Sequence, residues 1–243
     1  QGLETRESVL RLLLEVEREQ AYSNLALKNL LAEHTFTKQD AAFVTSLFYG
    51  TLENLLRIDY VIALYAKTKR LHTVVRGALR LGVQQLLFMR VPDRSALSTS
   101  VELVRRAGKP QLCGFVNAVL RKVAQNREAI PYPDAKQEPQ RYLSIMYSCP
   151  EAIVALWLKT YGFAFTEALL AYRTRPGDLT LRANLERISA PELAKALLEH
   201  GLAAEQARYY PEALVVRGIG DVSRNPLFED GCFSVMGEAS MLV

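Results

Sequence analysis

The sequence predicts a multi-domain, mainly α-helical protein in which a helical bundle precedes a small α+β domain. Over residues 1–130, apolar residues recur every three or four positions, which is the period of amphipathic helices. Leu179–Ala183 instead alternates with a period of two, which predicts a strand. The polar, proline-marked segment 131–144 has the composition of a linker. We therefore expect a first domain at 1–130, a linker at 131–144 and a second domain at 145–236.

The first domain is predicted to contain about six or seven helices joined by short loops. Thr5 is placed to cap the first helix, and Thr37 with Asp40 has the spacing of a capping box. Gly108 follows a helical stretch at the position where a left-handed residue ends many helices. Short connections between helices of this length predict a compact bundle.

The second domain is predicted to mix helices with short strands. Gly162 divides an apolar stretch into two helices. After the strand at 179–183, Ser189 begins a capping box, and strand candidates follow at 213–217 and 232–235. This succession predicts a small α+β sheet domain.

Basic residues are concentrated in the first half of the chain. Residues 1–125 hold 18 Lys and Arg against 11 Asp and Glu, whereas residues 126–243 hold 12 against 15. The stretch Lys67–Lys122 carries 12 basic residues and only two acidic ones, Asp93 and Glu102. Such a surplus predicts a polyanionic partner, because binding a nucleic acid releases its condensed counterions. The alternative is an ordinary solvated basic surface.

The cysteines and the hydropathy pattern exclude several other classes. Cys113, Cys149 and Cys232 are far apart and have no metal-ligand spacing, so we expect neither disulfides nor a metal site. No run of apolar residues approaches the roughly 20 that span a bilayer, and the first residues lack a secretory signal pattern. We therefore expect a cytoplasmic protein without a membrane partner.

A set of short motifs occurs in a fixed order along the chain. They are Tyr22–Leu27, Asp40–Thr45, Tyr49–Leu52, Leu79–Gly82, Gly114–Arg121, Leu179–Asn184 and Gly231–Ser240. This ordered set resembles the NusB-like N-terminal domain, and the segment that follows it, of the bacterial RsmB (Sun) rRNA methyltransferases. The resemblance implies a NusB-like helical bundle followed by a ferredoxin- or RRM-like α+β domain.

The resemblance also implies a function. Members of this family are S-adenosylmethionine-dependent 16S rRNA (cytosine-C5) methyltransferases, so we expect small-subunit rRNA, and not DNA, as the partner. Glu238, Ala239 and Ser240 match the motif that leads into the cofactor-binding domain, and residues 237–243 would be its beginning. We expect the rest of that domain, with both family cysteines, to be absent. The chain would then hold no catalytic residue, bind no S-adenosylmethionine and be inactive alone.

The candidate RNA-binding residues are cations and one amide at helical spacing in the basic stretch, with one arginine on the predicted strand. They are Arg76, Arg80, Arg105, Arg106, Lys109, Asn117, Arg121, Lys122 and Arg182. Arginine suits phosphate because its guanidinium donates two parallel hydrogen bonds, and asparagine can contact a base edge or a sugar. Arg182 could face either RNA or the family's catalytic domain.

Two other functions remain open from the sequence. The stand-alone NusB transcription antitermination factor is a helical RNA-binding module of the same type, although it ends after its helices. A bundle that binds only other proteins is the third alternative, and the surplus in Lys67–Lys122 argues against it.

Overall fold

A computed structural model shows the protein as two compact units, Gln1–Thr174 and Arg175–Val243. The model describes residues 2–19, 22–68, 70–173, 178–220 and 222–243. The first unit is helical and the second contains a four-stranded sheet with short helices. The predicted mainly α fold followed by a small α+β domain is therefore confirmed.

The helices of the first unit follow the predicted pattern as far as residue 125. Beyond it, Pro139–Met146 begins in the stretch predicted as a linker, and Glu151–Arg173 lies in the stretch assigned to the second domain. They are α1 Gly2–Glu19, α2 Ser23–Glu33, α3 Lys38–Glu53, α4 Leu55–Ala66, α5 Thr73–Phe88, α6 Asp93–Arg106, α7 Cys113–Gln125, α8 Pro139–Met146 and α9 Glu151–Arg173. Thr37 caps α3 by accepting a hydrogen bond from the backbone N–H of Asp40 (3.1 Å). The prediction for Thr5 was wrong, because α1 begins at Gly2 and Leu3 already packs against the core.

Helix α5 runs through the centre of the bundle. Gly77 and Gly82 let neighbouring helices approach it closely, since a Cβ at Gly82 would lie 2.7 Å from both methyl carbons of Leu120 on α7. A Cβ at Gly77 would lie 2.6 Å from a methyl carbon of Leu10 on α1. At such distances neighbouring atoms have to shift, so these two glycines set how closely α1 and α7 pack on α5.

The predicted linker at 131–144 is packed on the helical unit. The Tyr132 ring stacks on Tyr60 of α4 with 5.9 Å between ring centroids, and Arg57 donates a hydrogen bond to the Tyr132 hydroxyl (3.0 Å). The segment then enters α8 with Pro139 in its first turn. The prolines mark a turn and a helix start, and the one aromatic residue between them, Tyr132, packs on α4.

Helix α9 is interrupted at Gly162, as predicted. The backbone there has φ 75° and ψ 176°, which lies outside the helical region and is accessible mainly to glycine. By length and composition alone Glu151–Tyr172 could cross a membrane, but one such helix is weak evidence for a span. Gly162 divides it into two segments that are each shorter than the roughly 20 residues a bilayer requires.

The second unit has a ferredoxin-like topology. Its elements are β1 Leu179–Ala183, α10 Ala190–Glu199, β2 Ala204–Gln206, β3 Ala213–Val216, α11 Pro226–Glu229, β4 Phe233–Val235 and α12 Glu238–Met241. The strands pair antiparallel in the order β2-β3-β1-β4, which is the arrangement of a β-α-β-β-α-β unit. Strand β2 and helix α11 were not predicted, because three or four residues are too few to show a period.

Candidate nucleic-acid interface

Helices α6 and α7 form an antiparallel hairpin that carries most of the predicted RNA-binding residues. Gly108, with φ 73°, ends α6, and the chain turns through Lys109 into α7. The Cys113 thiol donates to the backbone carbonyl of Val101 (3.5 Å). At the other end of the hairpin, Arg127 pairs with Asp93 in the first turn of α6. Candidate residues on both helices are therefore held on one rigid element.

Arg80 is engaged inside the bundle. Its guanidinium donates two hydrogen bonds of 2.7 Å to the Asp59 carboxylate of α4, and a longer one of 3.4 Å to Glu17 of α1. The side chain is only 13% exposed. Burial lowers the pKa of Arg80, but the hydrogen bonds and charges of the two carboxylates outweigh burial and raise it. Arg80 therefore forms a structural ion pair with Asp59.

The other predicted arginines of α5 and α6 also have carboxylate partners. Arg76 pairs with Glu17 at 2.6 Å. Arg106 pairs with Glu7 of α1 at 3.0 Å, and Arg105 pairs with Glu102 one turn earlier on α6. The predicted set is thus only partly free, because acidic residues of α1 neutralise arginines that are far away in the sequence.

The members of the predicted set that lie on α7 and in the turn before it are unpaired. Lys109, Arg121 and Lys122 form no ion pair with any residue that the structure describes, and Arg121 and Lys122 are exposed on α7. The Asn117 side chain, one turn before Arg121, makes no hydrogen bond within the described chain and is half-buried. These four side chains can contact a ligand without first breaking an internal contact.

Two further unpaired arginines, before α6 and at its start, were not singled out from the sequence. Arg90 precedes α6 and Arg94 lies in its first turn; both are exposed and lack a carboxylate partner in the described residues. They are four residues apart, but Pro92 lies between them and α6 begins only at Asp93, so the spacing does not place them on one helix face. We name the unpaired set Arg90, Arg94, Lys109, Arg121 and Lys122 the hairpin cations.

In the second unit, the structure gives Arg182 and Glu238 defined surroundings. Arg182 is exposed on β1, and its guanidinium lies over the Tyr210 ring, 5.8 Å from the centroid. The Glu238 carboxylate accepts hydrogen bonds from the backbone N–H groups of Tyr209 (2.6 Å) and Tyr210 (3.0 Å). Ala239 and Ser240 follow on α12 and are exposed.

The three cysteines are free thiols, and Cys149 is fully buried among apolar residues. Within the described ranges, no three His, Cys, Asp or Glu residues come together as a metal site.

The fold defines the class, which is a NusB-type helical bundle followed by a ferredoxin-like unit. Residues 3–125 match the model of the NusB family, and the chain belongs to that family. Residues 149–223 match the model of the RsmF/B-like methyltransferase ferredoxin-like domain. The crystal structure of PH0851 has the same fold, with a TM-score of 0.69 and 18% identity over 99% of this chain and 54% of that one.

Curated relatives extend over the whole chain. The "Probable ribosomal RNA small subunit methyltransferase B" of Bacillus subtilis (strain 168) is 32% identical over 98% of this chain and 53% of that protein. The "Putative methyltransferase MT1451" of Mycobacterium tuberculosis (strain CDC 1551 / Oshkosh) is 33% identical over 98% of this chain and 52% of that protein. The chain thus spans about half the length of the curated relatives it matches.

Proposed function

We propose that this chain is the RNA-binding N-terminal portion of a cytoplasmic, S-adenosylmethionine-dependent 16S rRNA (cytosine-C5) methyltransferase. The pair of matched domains and the names of the relatives support the enzyme class. The observation that carries the RNA-binding role is the set of hairpin cations, which are exposed or half-buried and lack internal partners in the described chain. The partner is small-subunit rRNA, which the chain positions for methylation.

The hairpin cations suit the backbone of a folded RNA. Lys109 lies in the turn that precedes α7, and Arg121 is about 12 Å along that helix from its first residue, Cys113, at a rise of about 1.5 Å per residue. At about 3.4 Å of duplex axis per phosphate of one strand, that span covers about three to four phosphates. Asn117 between them supplies an amide that can contact a sugar or a base edge.

We propose that cofactor binding and catalysis belong to the part of the relatives' length that this chain does not match. Cys113, Cys149 and Cys232 then have only packing roles, and S-adenosylmethionine does not bind to residues 1–243. In the same proposal, Glu238 and its neighbours on α12 join the second domain to the cofactor-binding domain. The match at 149–223 argues against a stand-alone antitermination factor.

The test is the salt dependence of RNA binding. We expect the slope of log affinity against log salt to lie between about −3.5 and −4.5 if five phosphates are engaged. Fluorescence anisotropy with a labelled 16S rRNA fragment measures this slope for the chain. R121A/K122A removes two unpaired cations and is expected to reduce the magnitude of the slope by about 1.4 to 1.8.

The matched control is R105A/R106A, which removes two arginines of the same hairpin that are already paired with carboxylates. It is expected to change the slope by less than about 0.5. Equal slopes for both double variants would overturn the interface. Calorimetry with S-adenosylmethionine is expected to show no binding, and detectable binding would overturn the proposed division of roles.

A further inference from the structure

The sheet of the second unit carries a cavity whose lining includes none of the hairpin cations. It has a volume of about 420 Å³ and opens at the end of β1. Its polar lining consists of Arg182, Asn184, Glu186, Tyr210, Glu212 and Ser234. The volume falls in the range of about 300 to 1,000 Å³ that is typical of sites for small organic groups.

The strand register explains why this part of the sheet is open. Arg182 pairs with Ala213 of β3 and with Ser234 of β4, so these three residues share one face. The preceding residue, Leu181, points to the opposite face and is buried in the core with α10. Met241 of α12 packs near Ala213 and covers one part of the open face, which leaves Arg182 and Ser234 exposed.

Arg182 is held in place without being neutralised. Its guanidinium lies over the Tyr210 ring, and Glu238 fixes the backbone of Tyr210 through a 3.0 Å hydrogen bond. No carboxylate in the described residues forms an ion pair with Arg182. Arg217 of the same unit differs, because it donates two hydrogen bonds, of 2.9 and 3.1 Å, to the Asp178 carboxylate.

An arginine that lies on an aromatic ring and has free donors can do two things for a nucleotide. The exposed face of the guanidinium stacks on a base, and its N–H edge donates to a phosphate. Glu186 and Glu212 in the wall of the cavity repel phosphate, so a phosphate is favoured only next to Arg182 and the closely spaced phosphates of a duplex are disfavoured. Such a site therefore fits one nucleotide whose base is unpaired.

We propose that this cavity is a subsite for a single unpaired nucleotide of the RNA, with Arg182 as the residue that contacts its base and phosphate. The inference rests on the proposed function, because it assumes an RNA ligand. It adds a second contact, specific for single strands, to a helical docking surface that recognises the phosphate backbone. Asn184 shapes the site, since its amide donates to the Gly231 carbonyl (2.9 Å).

The experiment compares two labelled RNAs of about 12 residues per strand, one single-stranded and one duplex with the same sequence, by anisotropy. R182A is expected to lower the affinity for the single strand about 10-fold and that for the duplex less than about 2-fold. R182K keeps the charge and loses the planar group, so we expect it to restore less than about a third of the lost affinity. R217A is the matched control and leaves both affinities unchanged.

Equal losses on both RNAs with R182A, or full rescue by R182K, would show that Arg182 acts only as a positive charge and would overturn the subsite. An unchanged affinity would overturn it as well. If R121A/K122A weakens both RNAs while R182A has no effect, the subsite fails and the proposed function stands. If neither variant weakens binding, both fail. Because Arg182 is exposed, its substitution leaves the core intact, which thermal melting monitors.

Discussion

Two sets of basic residues in the helical unit differ in what surrounds them. Arg80 on α5 faces Asp59 and Glu17 and is almost buried, whereas Arg121 and Lys122 on α7 face solvent with no carboxylate in the described chain within ion-pair distance. Both sets belong to the same surplus of positive charge in the sequence. A basic stretch therefore becomes a binding surface only where acidic residues from other helices do not reach it.

Reversing the charge of the unpaired set should have the largest effect. Each phosphate contact contributes a factor of about 4 to 5 at 0.15 M salt, from a slope of about 0.7 to 0.9 per contact. R121E/K122E loses two contacts and adds two repulsions, so we expect rRNA affinity to fall by more than about 100-fold. Anisotropy at several salt concentrations measures it. A loss below about 5-fold would show that α7 is not part of the interface.

Removing Arg80 should affect stability instead of binding. R80A leaves the half-buried Asp59 carboxylate without its cation, whereas Glu17 keeps its ion pair with Arg76. We expect the free energy of unfolding to fall by about 2 kcal/mol, while rRNA affinity of the folded protein changes less than about 2-fold. Urea denaturation measures the first effect, and R121A is the exposed control. A stable R80A variant with weakened binding would reverse the roles of the two sets.

Freeing a paired arginine should strengthen binding. Glu7 accepts hydrogen bonds from Arg106 (3.0 Å) and Arg11 (2.8 Å), so E7Q removes the nearest carboxylate from both guanidinium groups, and Arg106 keeps only the more distant Glu102 at 3.9 Å. We expect rRNA affinity to rise by up to about 4-fold, which corresponds to one added phosphate contact. E15Q on the same helix, whose carboxylate pairs with no described arginine, is the control. A lower rRNA affinity in E7Q would contradict the inference that pairing with Glu7 keeps these arginines from contacting RNA.

The smallest expected effect is a change in how the stability of the fold depends on pH when Glu7 is replaced. Burial raises the pKa of Glu7, but hydrogen bonds from Arg106 and Arg11 outweigh it and lower the pKa below its ordinary value of 4.5. A carboxyl whose pKa is lower in the folded state stabilises the fold above pH 4.5 and loses this contribution as the pH falls through the folded pKa. Urea midpoints between about pH 6 and 3 should fall less in E7Q than in the parent chain. The same pH dependence of the urea midpoint in E7Q and in the parent chain would contradict the ion pairs of Glu7 with Arg106 and Arg11.

Most of the fold could be predicted from local patterns. The cap at Thr37, the capping box at Ser189 and the break at Gly162 depend on a few adjacent residues. The structure contains the break and the Ser189 box, and at Thr37 it contains the hydrogen bond from the Asp40 N–H without the reciprocal bond of a full box. Contacts between elements were missed. Tyr132 packs on α4 although its segment has the composition of a linker, and β2 is too short to show alternation.

The structure divides the predicted RNA-binding residues into two groups. Lys109, Asn117, Arg121 and Lys122 have no internal partners among the described residues, and their role in binding RNA stays a prediction. Arg76, Arg80, Arg105 and Arg106 were selected by the same helical spacing and have carboxylate partners. Spacing identifies residues that share a helix face, but it contains no information about which other helix lies against that face.

By itself the sequence determined the helical bundle, the strand that opens the α+β unit, the resemblance to a family and the position of the basic stretch. Each of these follows from the identity and order of neighbouring residues. Only the tertiary structure decided which cations are free, because the carboxylates of Asp59, Glu17 and Glu7 meet arginines that are 21, 59 and 99 residues away. Coulombic interactions depend on distance in space, and folding alone sets that distance.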